Sequence, residues 1–162
     1  MSRPDAGGDD VSHPNPNDSN DQPLATTQHL SCRCGAVAIE ISAAPIAQFY
    51  CHCDDCQAVH GAAYVPESVY PADAVRVTRG EPLTWALRRS PRYTCPACGT
   101  RLFIDVLGRG LRGVNGYLLP PGGFNAAYHM QCQFAVNPVR DELPHYRGRA
   151  PQFGGPDERV DW

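Results

Sequence analysis

The stretch Tyr50-Cys51-His52-Cys53-Asp54-Asp55-Cys56-Gln57 places three thiols within six residues, in the order Cys-x-Cys-x-x-Cys. Thiols crowded in this way either crosslink or hold a metal. Zinc takes four ligands in a tetrahedron, with thiolate sulfur at about 2.3 Å. This loop offers three. Whatever takes the fourth place decides the chemistry: a protein atom makes the site structural, and a substrate makes it catalytic.

Outside that loop lie Cys32, Cys34, Cys95, Cys98 and Cys132. Two of the pairs are alike, because Cys34-Gly35 and Cys98-Gly99 each end in glycine. In a zinc knuckle the chain turns sharply after the second ligand so that backbone N–H groups point at sulfur. Glycine takes the positive φ this needs without steric cost. Cys56 is followed by Gln57 instead. The matched pairs are therefore expected to meet in one Cys₄ zinc, from Cys32, Cys34, Cys95 and Cys98. Such an ion would clamp an early strand to one about sixty residues later. The loop of Cys51, Cys53 and Cys56 then keeps its own ion and one vacancy, giving two zinc ions per chain. Cys132, His60 and His129 are alternatives for filling that vacancy. His52 is a poorer one, since its neighbours are both ligands and its ring tends to project away from the ion.

A chain of 162 residues fits one domain with a real core. No run approaches the eighteen or so apolar residues that span a bilayer, and the start Met1-Ser2-Arg3-Pro4-Asp5 has no signal-like apolar segment. These features read as a cytoplasmic protein without a membrane partner, a compartment where clustered cysteines bind metal rather than crosslink. Residues 1–29 carry five aspartates against Arg3, a formal −4 of the chain's −3 total. Poor in large apolar groups, they read as a disordered tail. The remainder stands near neutrality, so no nucleic-acid partner is expected. Arg88, Arg89 and Arg92, its one dense basic cluster, read as a solvated edge. The sequence contains no lysine. A side-chain Schiff base is thereby excluded, and aldehyde chemistry is left to a metal or a thiol.

Period-two alternation of Val37, Ile39 and Ile41 predicts a half-buried strand. Residues 46–50 read as a second strand feeding the three-cysteine loop, with one short helical turn over 57–60. Further strands are expected at 62–65, 75–78, 83–88 and 101–106. Residues 111–118 are weakly strand-like, and 127–136 form a last strand containing His129 and Cys132. Gly80 with Pro82, and the loop at 120–123, are turns. The end, rich in Pro, Gly and Arg, reads as a surface wrap. The fold class is mainly β, built from short antiparallel strands.

Three motifs, Cys-Arg-Cys-Gly-Ala-Val (32–37), Cys-His-Cys-Asp-Asp-Cys-Gln (51–57) and Cys-Pro-Ala-Cys-Gly-Thr-Arg-Leu-Phe (95–103), closely resemble the glutathione-dependent formaldehyde-activating enzyme family, which includes centromere protein V. The resemblance runs from Leu30 to Tyr146. It implies a compact Mss4-like zinc-bound β domain over 30–150, followed by a C-terminal extension at 151–162. It also implies a structural zinc on Cys32, Cys34, Cys95 and Cys98, and a catalytic zinc on Cys51, Cys53 and Cys56. The implied activity is that of a carbon–sulfur lyase, joining a small-molecule thiol such as glutathione to a small aldehyde, or reversing that step. A general acid is needed in principle, with His52, His60 and His129 as candidates, and glutathione's carboxylates call for arginines, with Arg101 and Arg112 as candidates. The rival reading is a zinc-stabilised binding module without turnover. Sulfoxide reduction with Cys132 as nucleophile is a third, with no supporting residues around that cysteine.

Overall fold

The computed structural model describes residues 27–162, so most of the expected tail lies outside the described residues. The first strand, β1 (Gln28–Ser31), begins two residues before Leu30 and pairs antiparallel with β2 (Ala38–Ile41), Leu30 opposite Ile39. The alternation seen in the sequence is realised there: Val37, Ile39 and Ile41 are buried, while Ala38 and Glu40 are half-exposed. β5 (Val75–Arg79) completes a three-stranded sheet in the order β1-β2-β5.

The second sheet has seven strands: β3 (Ala47–Cys51), β4 (Val65–Pro71), β6 (Leu83–Ala86), β7 (Pro91–Thr94), β8 (Arg101–Val106), β9 (Leu111–Asn115) and β10 (His129–Met130). Their order is β10-β3-β4-β9-β8-β7-β6, and every pairing is antiparallel except that of β10 with β3. The mainly-β expectation is met. Between β3 and β4 the chain makes one short helix, α1 (Asp54–His60), closed at Gly61 in the left-handed conformation.

Four strands depart from the pattern read in the sequence. β4 runs from Val65 to Pro71 rather than over 62–65, and it is buried almost throughout despite Pro66, Glu67 and Ser68. Pro66 is tolerated because its partner Tyr50 sends its N–H to the Tyr128 carbonyl (3.1 Å) instead of across the pair. Glu67 is tolerated because Arg101 Nη2 meets its carboxylate at 2.5 Å, both side chains being buried. β7 forms where the sequence signals no strand, and the strand expected to Arg88 stops at Ala86. The strand expected over 127–136 is two residues long, because Gln131 turns left-handed (φ 61°) and leads into a 3-10 turn over Cys132–Phe134. The C-terminal segment returns as a wrap: His129 N–H donates to Pro144 O (2.8 Å) and Tyr146 N–H to His129 O (2.9 Å).

Two apolar clusters fill the interior. One contains Leu30, Ile39, Ile41, Tyr70, Phe103 and Val114, with Cys32 and Cys95 among them. The other contains Phe49, Val69 and Tyr128 with Cys51, and Cys53 and Cys56 pack against it. Each cysteine group therefore sits against its own part of the core.

Candidate functional site

The first knuckle occupies the β1–β2 connection and the second the β7–β8 connection, so their meeting joins the two sheets. Cys32, Cys34, Cys95 and Cys98 have their sulfurs within 4.8 Å of one another. Cys32 Sγ lies 3.5 Å from Cys34 Sγ, which lies 3.8 Å from Cys95 Sγ. These separations are far beyond a disulfide bond and match the tetrahedron edge of about 3.8 Å that a 2.3 Å zinc–sulfur bond requires. Gly35 (φ 77°) and Gly99 (φ 72°) take the positive φ expected of them. Val37 N–H points at Cys32 Sγ (3.2 Å), and Arg33 N–H reaches across to Thr100 Oγ1 (3.4 Å). The Thr100 hydroxyl and backbone draw the Cys98 thiol down to about 5, the direction that favours a thiolate ligand. The donor set fits zinc.

Cys51 ends β3, and Cys53 is the N-cap of α1, where its Sγ accepts the Cys56 N–H at 3.3 Å. An ordinary N-cap is Ser, Thr, Asp or Asn. Here a sulfur takes that place, and one turn later α1 brings Cys56 back to it. The three sulfurs lie within 4.8 Å of one another. They share protons unequally: hydrogen bonds from Cys51 and then Cys56 draw the Cys53 thiol down to about 3, while the Cys51 thiol is pushed well up. No fourth donor joins this group among the described residues. Cys132 is buried elsewhere, its thiol pushed up to about 12 by that burial, which does not favour a nucleophile. His52 turns away from the sulfurs, as expected, and its Nε2 lies 2.9 Å from His129 Nδ1. His60, in the last turn of α1, has a buried Nε2 without a hydrogen-bond partner, and burial followed by the Arg101 and Arg92 cations pushes its ring down to about 3. His52 is likewise pushed down to about 4, first by burial and then by His129, so both rings are neutral near pH 7.

A cavity of about 290 Å³ opens on Cys53 and Cys56 and is lined further by Asp55, Arg88, Arg89, Ser90 and Arg92. Arginines do stand at the site, although not those expected. Arg101 is held by Glu67, and Arg112 pairs with Asp105 at 2.8 Å and lies over Phe103. The triplet that reads as a solvated edge supplies the cavity wall instead. Arg88 bridges Asp54 (3.1 Å) and Asp55 (3.2 Å). Arg92, only 4% exposed, lies over Trp85 and donates to Ser90 O. Arg89 is exposed and makes no ion pair among the described residues. The signal available in the sequence was their position after the 83–86 strand, but only the β6–β7 hairpin folds them back over α1.

The wrap also forms a cluster that nothing in the sequence signals. His129 Nε2 lies 3.0 Å from Asp141 Oδ2, and His145 Nε2 lies 3.4 Å from Asp141 Oδ1. No helix of the described residues is long and apolar enough to cross a membrane.

Among solved structures, the crystal structure of a Rhodobacter sphaeroides protein, a structural-genomics target, is 21% identical, with 57% of this chain and 87% of that one covered and a TM-score of 0.48. No curated protein matches. A family model described as glutathione-dependent formaldehyde-activating enzyme matches residues 27–133, a span that holds both cysteine groups and the arginine hairpin. On that match over most of its length, the chain belongs to the glutathione-dependent formaldehyde-activating enzyme family.

Proposed function

We propose that this protein joins a small anionic thiol to a small aldehyde, and reverses that reaction, at Cys51, Cys53 and Cys56. The observation that carries the reading is a three-sulfur group, without a fourth protein donor among the described residues, that faces an arginine-lined cavity. The family supports formaldehyde-activating chemistry with glutathione in general terms.

In the forward direction the thiol's S–H bond breaks, a sulfur–carbon bond forms at the carbonyl carbon, and the proton ends on the former carbonyl oxygen. The product is a hydroxymethyl thioether when the aldehyde is formaldehyde. Cys51, Cys53 and Cys56 would hold a zinc ion, which when bound would supply the Lewis acidity that favours the thiolate form of a thiol near neutral pH. The cysteines act as ligands rather than nucleophiles. Buried Arg92 places a cation beside the sulfur group and helps draw the Cys53 thiol down. Arg89 is free to fork onto a carboxylate of the thiol substrate. Arg88, already bridging Asp54 and Asp55, fixes the hairpin onto α1. Cys32, Cys34, Cys95 and Cys98 join the sheets and take no part in turnover.

The test is hydroxymethyl thioether formation from glutathione and formaldehyde, followed by NMR with the zinc-loaded protein. Acceleration over the protein-free rate is expected, and a rate equal to the protein-free one overturns the proposal. Arg89→Ala is expected to raise KM for glutathione about tenfold, equivalent to roughly 1.4 kcal/mol for one charge-assisted contact. KM for uncharged 2-mercaptoethanol should stay unchanged, and steady-state kinetics with both thiols checks the difference.

A further inference from the structure

The wrap builds a third group of metal donors, separate from both cysteine groups and containing no sulfur. His129, Asp141 and His145 have ligand atoms within 4.8 Å of one another. Two of the three, Asp141 and His145, lie beyond the span 27–133 that matches the family. The folding of this segment brings them to His129. His129 sits on β10, at the edge of the large sheet, and a backbone bridge lays His145 beside it. Asp141 precedes His145 by four residues, and its Oδ1 accepts the Leu143 N–H at 3.0 Å, which aims the carboxylate back at the rings.

The two histidines address different oxygens of that one carboxylate, His129 Nε2 at 3.0 Å from Oδ2 and His145 Nε2 at 3.4 Å from Oδ1. A cation with nitrogen and oxygen ligands at about 2.0–2.2 Å has ligand–ligand edges of about 2.9–3.5 Å, so both separations suit a shared ion. The rings stack, centroids 4.6 Å apart and planes 23° from parallel, so both present the same nitrogen to the same side. His145 Nε2 is buried and has no partner in hydrogen-bond geometry. That is an orphaned polar atom beside a carboxylate. On its other side His129 is fixed by the 2.9 Å contact between Nδ1 and His52 Nε2. Metal-binding histidines are commonly held in this way through the second ring nitrogen. Trp162 covers His145 and His52, with centroids at 4.7 and 5.5 Å. The Asp141 side chain is 37% exposed, and a cavity of about 220 Å³ lined by Glu142, Pro144, Arg159 and Asp161 reaches His145.

We propose that His129, Asp141 and His145 form a binding site for a first-row divalent cation such as zinc, with at least one coordination position left to water from the adjoining cavity. Two imidazoles and one carboxylate are the donors of a borderline ion, distinct in class from the all-sulfur groups. This inference does not rest on the proposed thiol chemistry.

The full chain, purified with its cysteine groups loaded with zinc, is titrated with further zinc by calorimetry. One additional saturable site per chain is expected. Asp141→Asn and His145→Gln should each weaken it beyond the ~10–100-fold typical of losing an outer partner of a metal ligand. Cobalt added in place of the further zinc should give visible d–d bands without a sulfur-to-cobalt charge-transfer band. The proposal is overturned if the wild-type chain takes up no additional ion. It is equally overturned if both variants bind that ion as tightly as wild type, or if the added cobalt shows sulfur ligation. The wild-type titration decides the matter even where a variant fails to fold.

Discussion

Cys98→Ser is expected to leave the chain unfolded at 25 °C. Cys98 is itself exposed and buries little, so nothing in its own packing would make the substitution costly. The cost lies in what the four sulfurs join. The knuckles of Cys32/Cys34 and Cys95/Cys98 connect the three-stranded sheet to the seven-stranded one. Cys32 and Cys95 sit inside the apolar cluster between them. A closed structural zinc contributes on the order of 10 kcal/mol, comparable with the roughly 5–15 kcal/mol total stability of an ordinary domain. Serine cannot replace a thiolate at that ion. Circular dichroism and denaturant titration check this: loss of the cooperative transition is expected. A variant that keeps the wild-type midpoint would show that these sulfurs do not carry the fold.

Cys53→Ser is expected to show the opposite profile, with the proposed thiol–aldehyde turnover falling to the protein-free rate while the fold persists. Cys53 is the N-cap of α1, and its sulfur accepts the Cys56 N–H. Serine is among the best N-caps, so its hydroxyl inherits that hydrogen bond and the helix still starts where it did. The third thiolate of the group is lost. With it goes the sulfur whose proton is most readily released, since hydrogen bonds from Cys51 and Cys56 favour its ionised form. The apolar cluster around Phe49, Val69 and Tyr128 is left in place. Turnover measured beside thermal unfolding separates the two effects. Unfolding as complete as that of Cys98→Ser would make the three-cysteine group structural, and retained turnover would remove it from the chemistry.

The cysteine grouping was legible because two local signals agreed: matched Cys-x-Cys-Gly and Cys-x-x-Cys-Gly turns, and a loop whose last cysteine lacks the glycine. β2 and β8 were legible because apolar and polar residues alternate in β2 and Leu102-Phe103-Ile104 form a continuous apolar run in β8. β4 was not, because its prolines, Glu67 and Ser68 signal a loop. Only the tertiary partners Arg101 and Gln48, which meet Glu67 Oε1 and the Ser68 hydroxyl, allow them to be buried. The arginine wall was legible as charge but not as a site. Nothing local to residues 88–92 announces a hairpin that folds over a helix thirty residues earlier. Asp141 and His145 carried no signal at all, since a carboxylate and an imidazole four residues apart in a loop rich in proline are ordinary until β10 brings His129 beside them.

The central claim is that the ion at Cys51, Cys53 and Cys56 keeps one position for a substrate sulfur. Zinc X-ray absorption on an Asp141→Asn background, which removes the proposed third ion, measures it directly. With two zinc ions per chain, four and three protein sulfurs average about 3.5 per ion. Addition of glutathione is expected to raise that average to about 4, with loss of a nitrogen or oxygen neighbour. An average that stays unchanged on adding glutathione would contradict the account.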